Sequence, residues 1–199
     1  MRTTLSMFLV AALAPACATD TTSDDADTAS DEGGQLGAEH ASDAQDDLGG
    51  ESGDVVAART GAIMIALDTA EVAQANLALQ RSNDPDVIAF AQDLVASHQE
   101  NIDETKNVMD DLAIAAEDNA ISAALTAEAN VTFEALVASN DFDYAFIRAQ
   151  ISGHAEANAI LGTLEGLVTY DELQRFIAND RAMVGRHQEK AVLILRTGL

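Results

Sequence analysis

The sequence is poor in what many protein classes require. Of its 199 residues one is Cys, none is Trp, two are Pro, and ten are Lys or Arg. A single cysteine excludes an internal disulfide framework and a Cys-rich zinc site. Ten basic residues against 34 acidic ones leave a formal charge of −24. That excludes a nucleic-acid binder, which needs a basic footprint to displace counterions, and it argues against electrostatic docking onto anionic lipid. With six Phe and two Tyr, a base-stacking platform has little to build on. No Ser, Cys or Lys stands beside a His in an arrangement that makes a nucleophile, so no catalytic residue is assigned. What remains is a chain rich in Ala, Leu, Val and Ile with almost no Pro, the composition of an all-α protein.

The first sixteen residues have the form of a signal peptide. Met1-Arg2-Thr3-Thr4 is a short basic start, and Leu5 to Leu13 is an apolar run too short to span a bilayer. Ala14-Pro15-Ala16-Cys17 follows, so the only Cys stands directly after small residues. This placement resembles a lipoprotein lipobox, with Cys17 lipidated and first in the mature chain. Leu13 lies four residues before the Cys rather than the usual three, and the alternative is a cut after Ala16 that leaves a soluble periplasmic or secreted protein. The first acidic residue after Cys17 is Asp20, which favours the outer membrane. The expected address is the cell envelope, and the expected partner is a membrane reached through a lipid anchor. Residues 18–54 hold 12 acidic residues and no Lys or Arg. Such a segment buries too little apolar area to offset its ordering entropy. Residues 17–54 are therefore expected to be a disordered acidic tether, and His40 within them is assigned no role.

From Val55 the apolar residues recur with helical spacing. The pattern predicts helices over Val55–Arg81, from Pro85 to Ala115, over Asn119–Ala138 and Asp141–Glu165, and from the Thr169-x-x-Glu172 capping-box pattern to Arg196. Asp84 is a fitting N-cap, and Pro85 suits the first helical position, where its missing N–H costs nothing. Val131 is expected on the apolar face of the third helix. Long helices joined by short turns imply an antiparallel four-helix bundle with one extra short helix in the crossover, filling residues 55–199.

One local pattern occurs three times: Val95-x-x-His98-x-Glu100, Ile151-x-x-His154-x-Glu156 and Val184-x-x-His187-x-Glu189. The β-branched residue lies one turn before the His on the same face, and the Glu is expected to face water. Each His sits on the apolar stripe of a different helix, and the first helix supplies Glu71. At about 1.5 Å per residue, Glu71 and His98 lie at one depth, while His187 is expected roughly 7 Å from His154 along the bundle. Asp180, one heptad before His187, matches the depth of His154 better. Glu71, His98, His154, His187 and Asp180 are thus the candidate set, with two readings. One is a metal site of imidazoles and a carboxylate, suited to Zn, Cu, Fe or Ni. The other is a buried polar cluster, with neutral His bonded to Glu71, Asp180, Gln150 or Asn158. Di-iron carboxylate chemistry needs Glu three residues before His; here Val95, Ile151 and Val184 stand there.

Ala70-Glu71-Val72 with Leu77-Ala78, Val87-Ile88-Ala89-Phe90-Ala91, Leu94-Val95-Ala96-Ser97-His98 with Asn101, Phe142-Asp143-Tyr144, Ile151-Ser152-Gly153-His154 and His187 together resemble the bacterial outer-membrane, ferritin-like proteins classed as domain of unknown function 4142. The resemblance covers Ile63 to Ile194. It implies an envelope location and a helical bundle, and no settled activity. The family usually places Asp before the first two His, where this chain has Ser97 and Gly153, so a carboxylate to orient those imidazoles is expected to be missing. The expected function is a tethered envelope module that binds a small ligand, a metal or a protein. The rivals are a His/Glu metalloprotein with redox activity and a purely structural or stress-related surface protein.

Overall fold

Asp84 begins a helix two residues after Ser82 caps the end of the one before. Its side chain accepts hydrogen bonds from the N–H groups of Asp86 and Val87, and Pro85 takes the first helical position. The computed structural model describes residues 25–199, with side chains from residue 37 onward. The apolar run 5–13 and Cys17 lie outside the described residues. The described chain is helical, with no strand: α1 (Asp25–Leu48), α2 (Gly53–Arg81), α3 (Pro85–Asp111), α4 (Ala120–Ala138), α5 (Phe142–Leu167) and α6 (Asp171–Gly198). No helix among the described residues is long and apolar enough to cross a membrane.

Three-residue turns make hairpins of α2 with α3 and of α5 with α6, and the hairpins pack through α2 on α5 and α3 on α6. α4, in the crossover, packs mainly on α2. Asn119 starts it with a reciprocal cap: its side chain accepts from the Ser122 N–H while the Ser122 hydroxyl accepts from the Asn119 N–H. Arg81 stops it. Its guanidinium donates to the carbonyls of Leu136 and Val137 at 2.7 Å and of Ser139 at 2.9 Å, at a helix end whose last carbonyls lack the usual intrahelical donors.

Several boundaries differ from expectation. α3 ends at Asp111 rather than Ala115, because Ala113 turns to φ 55° and the chain leaves the helix axis. The Glu117 N–H then donates to the Ala58 carbonyl and ties the loop to α2. The Thr169-x-x-Glu172 cap does not form: Tyr170 occupies the N-cap without a side-chain bond. Val131, expected on an apolar face, is 69% exposed, because α4 leans on the bundle along one narrow edge.

The larger correction concerns the acidic segment expected to be a disordered tether. Residues 25–48 form α1, which lies along α5. Gly37, His40, Ala44 and Leu48 are buried, and their spacing of three, four and four residues is one helical stripe. Ala44 and Leu48 join the core with Ala157, Ile160 and Leu164. The stripe is small enough for close approach, and Glu39, Asp43, Asp46 and Asp47 stay on the outside. A segment this poor in large apolar side chains can thus fold when a neighbouring helix offers the apolar partner it lacks.

The core divides in two. One cluster contains Ile63, Met64, Leu161, Leu164 and Leu173; the other contains Phe90, Leu94, Phe146 and Ile151. Between them, along each of the four long helices, the apolar sequence is interrupted. α2 places Asp68 and Glu71 in the break, α3 His98 and Asn101, α5 His154 and α6 His187. The bundle therefore carries a polar layer sandwiched between two hydrophobic ones.

Candidate metal centre

The three histidines of the repeated pattern converge in this layer. Their ring centroids are 5.6 Å apart for His98–His154, 5.2 Å for His98–His187 and 5.4 Å for His154–His187. All three are buried, and one ring nitrogen from each lies within 4.8 Å of the others. The offset between His154 and His187 is smaller than expected. α5 runs on to Leu167 and α6 starts at Asp171, so the depths differ by about 4.5 Å, under one turn, and the side chains span it. His187, not Asp180, is the residue level with His154.

Each imidazole is oriented differently. His98 Nδ1 is 2.7 Å from Asp68 Oδ1, and Asn101 Nδ2 donates to Asp68 Oδ2 at 2.7 Å. Opposite a carboxylate, Nδ1 is the protonated nitrogen. His154 Nδ1 lies 2.8 Å from the Gln150 carbonyl, which can only accept, so this nitrogen too carries a proton. The remaining nitrogens, His98 Nε2 and His154 Nε2, are buried without a hydrogen-bond partner, as is His187 Nδ1. Asp68 thus supplies for His98 the orienting carboxylate that Ser97 does not. It comes from a different helix, which is why a scan of neighbouring residues misses it. Its sequence signal is its place on the buried stripe, four residues after Met64 and seven before Ala75.

The candidate carboxylates flank the cluster. Glu71 Oε1 is 3.9 Å from His154 Nδ1, and Glu71 Oε2 is buried and unpartnered. A Cβ built on Gly153 would stand 3.2 Å from Glu71 Oε1, so the glycine makes room for this side chain. Asp180 is buried beside Asp68 and Asn101 with Oδ1 unpartnered; it borders the imidazole group rather than joining it. Of the three glutamates expected in water, Glu100 and Glu189 are exposed. Glu156 is covered by α1.

Burial dominates the electrostatics. His154 is pushed down to about 3 by burial and by the charge of His98, against the pull of the Gln150 carbonyl. His187 falls to about 3 through burial and then the charges of His154 and His98. Burial also lowers His98, but the Asp68 hydrogen bond and the charges of Glu71, Asp68 and Asp180 outweigh it and hold its pKa above the ordinary imidazole range. Glu71 is raised by burial against the pull of His98 and Gln150. Asp180 rises to about 7 through burial and the Asp68 charge, opposed by His98 and Asn101. At neutral pH the site thus offers two neutral imidazoles, a third whose proton is held by Asp68, and two further carboxyl groups, Glu71 and Asp180, that burial pushes toward the protonated form. A cavity of about 430 Å³ reaches it from the surface, lined by Glu71, His98, His154, Asp180, Leu67 and Leu125.

A family model described as "Domain of unknown function (DUF4142)" matches residues 51–194. No curated protein and no solved structure matches the chain.

Proposed function

Because the chain belongs to the DUF4142 family, whose description leaves its activity open, we propose from its own side chains that it is a metal-binding module of the cell envelope. His98, His154 and His187 hold one transition-metal ion, of the class of Zn, Cu, Fe or Ni that imidazole suits. One observation carries this reading: three converging imidazoles each keep a buried ring nitrogen with no hydrogen-bond partner. Buried polar groups are nearly always paired, and three imidazoles that each keep an orphan nitrogen and bring one ring nitrogen apiece within 4.8 Å of the others have a common solution in a cation. The Asp68–His98 and Gln150–His154 bonds are the outer partners that fix metal-ligating histidines in such sites. Glu71 or Asp180 completes the charge. Since the cavity borders His98 and His154 but not His187, an ion here keeps a face toward a small ligand.

The four helices that carry the layer, α2, α3, α5 and α6, are read as a ferritin-like bundle, without the Glu-x-x-His pairs of di-iron chemistry. Delivery to the envelope rests on the apolar run before Cys17. Lipidation there anchors the chain, and Cys17→Ser releases it into the soluble fraction.

The test is metal analysis of protein purified without a His tag and loaded in turn with Zn²⁺, Cu²⁺, Fe²⁺ and Ni²⁺. Wild type is expected to retain one ion more per chain than His154→Gln or His187→Gln for at least one metal. Equal retention by wild type and both variants for every metal overturns the reading.

A further inference from the structure

A second group of ligating side chains lies outside the polar layer, at the outer edge of the cavity. His40 of α1 stands 2.9 Å from Glu128 Oε2 of α4 and 3.4 Å from Glu156 Oε1 of α5, both measured from Nε2. One ligand atom from each of the three lies within 4.8 Å of the others. The three residues come from three helices. His40 precedes the range matched by the family model, which begins at residue 51.

As a plain hydrogen-bonded cluster the group is incomplete. Nε2 carries at most one proton, which the closer Glu128 takes. Glu156 Oε1 is then left buried with no hydrogen-bond partner. None of the ion pairs among the described residues brings a Lys or Arg to either glutamate. Two carboxyl groups and an imidazole thus face one another, and burial, opposed by His40 and reinforced by the charge of Glu128, pushes Glu156 up to about 7. Glu128 keeps half its side-chain surface in water, so a hydrated ion has a way in.

We propose that His40, Glu128 and Glu156 form a second cation site, a clasp that takes a divalent first-row metal ion and fastens α1 onto the bundle. One imidazole nitrogen and two carboxylates are a mixed donor set for Zn²⁺ and its neighbours, and waters complete the shell. The ion replaces the proton on Nε2, gives Glu156 Oε1 the positive partner it lacks, and bridges α1, α4 and α5 where two carboxylates stand face to face. Metal bound only by the folded arrangement stabilises that arrangement. The clasp therefore makes the docking of α1, along the mouth of the cavity, depend on the available cation.

The experiment uses the full chain and Zn²⁺ alone, with stoichiometry from equilibrium dialysis and amide hydrogen exchange of residues 37–48 read with and without the ion. His40→Ala is expected to bind one Zn²⁺ fewer than wild type and to lose the zinc-dependent protection of α1. Glu128→Gln, at a half-exposed position that leaves the core alone, should weaken the same ion by more than about tenfold, a loss that even outer partners of a metal can cause. His187→Gln removes the ion of the polar layer and leaves the clasp intact, so the two sites fail separately. Zn²⁺ stoichiometry and α1 protection that are unchanged in both His40→Ala and Glu128→Gln overturn the proposal.

Discussion

Asp68 and His98 form a buried pair, carboxylate oxygen to Nδ1 at 2.7 Å, that joins α2 to α3 inside the polar layer. The bond decides which nitrogen of His98 faces the other imidazoles, and Asn101 in turn holds the second oxygen of Asp68. Two hydrogen bonds thus remove the freedom of one ring. Asp68→Asn keeps the shape and removes the charge. It is expected to lower metal affinity about 10–100-fold, the usual loss for an outer partner of a ligating histidine. Chelator competition measures the affinity, and circular dichroism should show unchanged helicity. Unaltered affinity would mean that the pair only packs.

The protonation states make metal binding sensitive to pH in one direction. His98 is raised by the Asp68 bond and neighbouring charges against burial, so in the metal-free fold it contributes stability that is full below the unfolded value of about 6.5 and lost as pH rises through its folded pKa. Asp180, raised by burial to about 7, likewise loses its contribution as pH rises from about 4 to 7. His154 and His187, lowered by burial to about 3, act oppositely. Their contribution is present above about 6.5 and lost as pH falls toward 3. A cation held by the three imidazoles must displace the proton on His98 Nε2, and its charge disfavours the proton on Asp180. The gain in melting temperature on adding metal is therefore expected to widen from pH 6 to pH 8, with proton release seen by calorimetry in buffers of different ionisation enthalpy. A gain that shrinks with rising pH would contradict this assignment.

The histidines were legible in the sequence because each stands on an apolar stripe with a β-branched residue one turn before it, and that periodicity survives any packing arrangement of the helices. Their common depth was only half legible. It depends on where α5 stops, and Gly162 and Gly166 suggest an earlier end than Leu167. Asp68 is hard to single out because an acidic residue on a helix rich in alanine looks like a solvated one; only its phase relative to Met64 and Ala75 marks it as buried. α1 is hidden for the opposite reason. Its composition is that of a disordered segment, and the buried stripe of Gly37, His40, Ala44 and Leu48 contains one large apolar side chain. What makes this stripe fold is the surface of α5, which no local pattern in residues 25–48 describes.

Removal of α1 follows from that packing. A chain starting at Glu51 loses the burial of Leu48 and Ala44 and uncovers the flank of α5 around Ile160 and Leu164. Burial of one leucine contributes about 1.5–3 kcal/mol, and exposure on both sides offsets part of the ordering entropy regained. The net loss is expected to be about 2–3 kcal/mol, or a melting temperature lower by about 5–10 °C. A thermal scan of both chains under chelator checks it. An unchanged midpoint would return residues 25–48 to the role of a free tether.

Gly37 separates intrinsic helix preference from docking. A Cβ built there would stand 2.6 Å from the Cα of Glu156, a backbone atom of α5 that cannot move without its helix. The glycine is thus what lets α1 approach α5 so closely, and it positions His40 one turn later on the same face. Alanine is the better helix former by about 0.8–1 kcal/mol, so in an isolated peptide of residues 25–48 Gly37→Ala should raise helicity. In the full chain the added methyl forces the helices apart, and overpacking of this kind costs about 1–3 kcal/mol. Amide exchange of residues 37–48 is then expected to accelerate about 5–150-fold, while that of α3, which packs on α2 and α6, stays as in wild type. Opposite signs in peptide and protein are the diagnostic result. If exchange in the full chain slows as helicity in the peptide rises, local propensity rather than contact with α5 holds α1 in place.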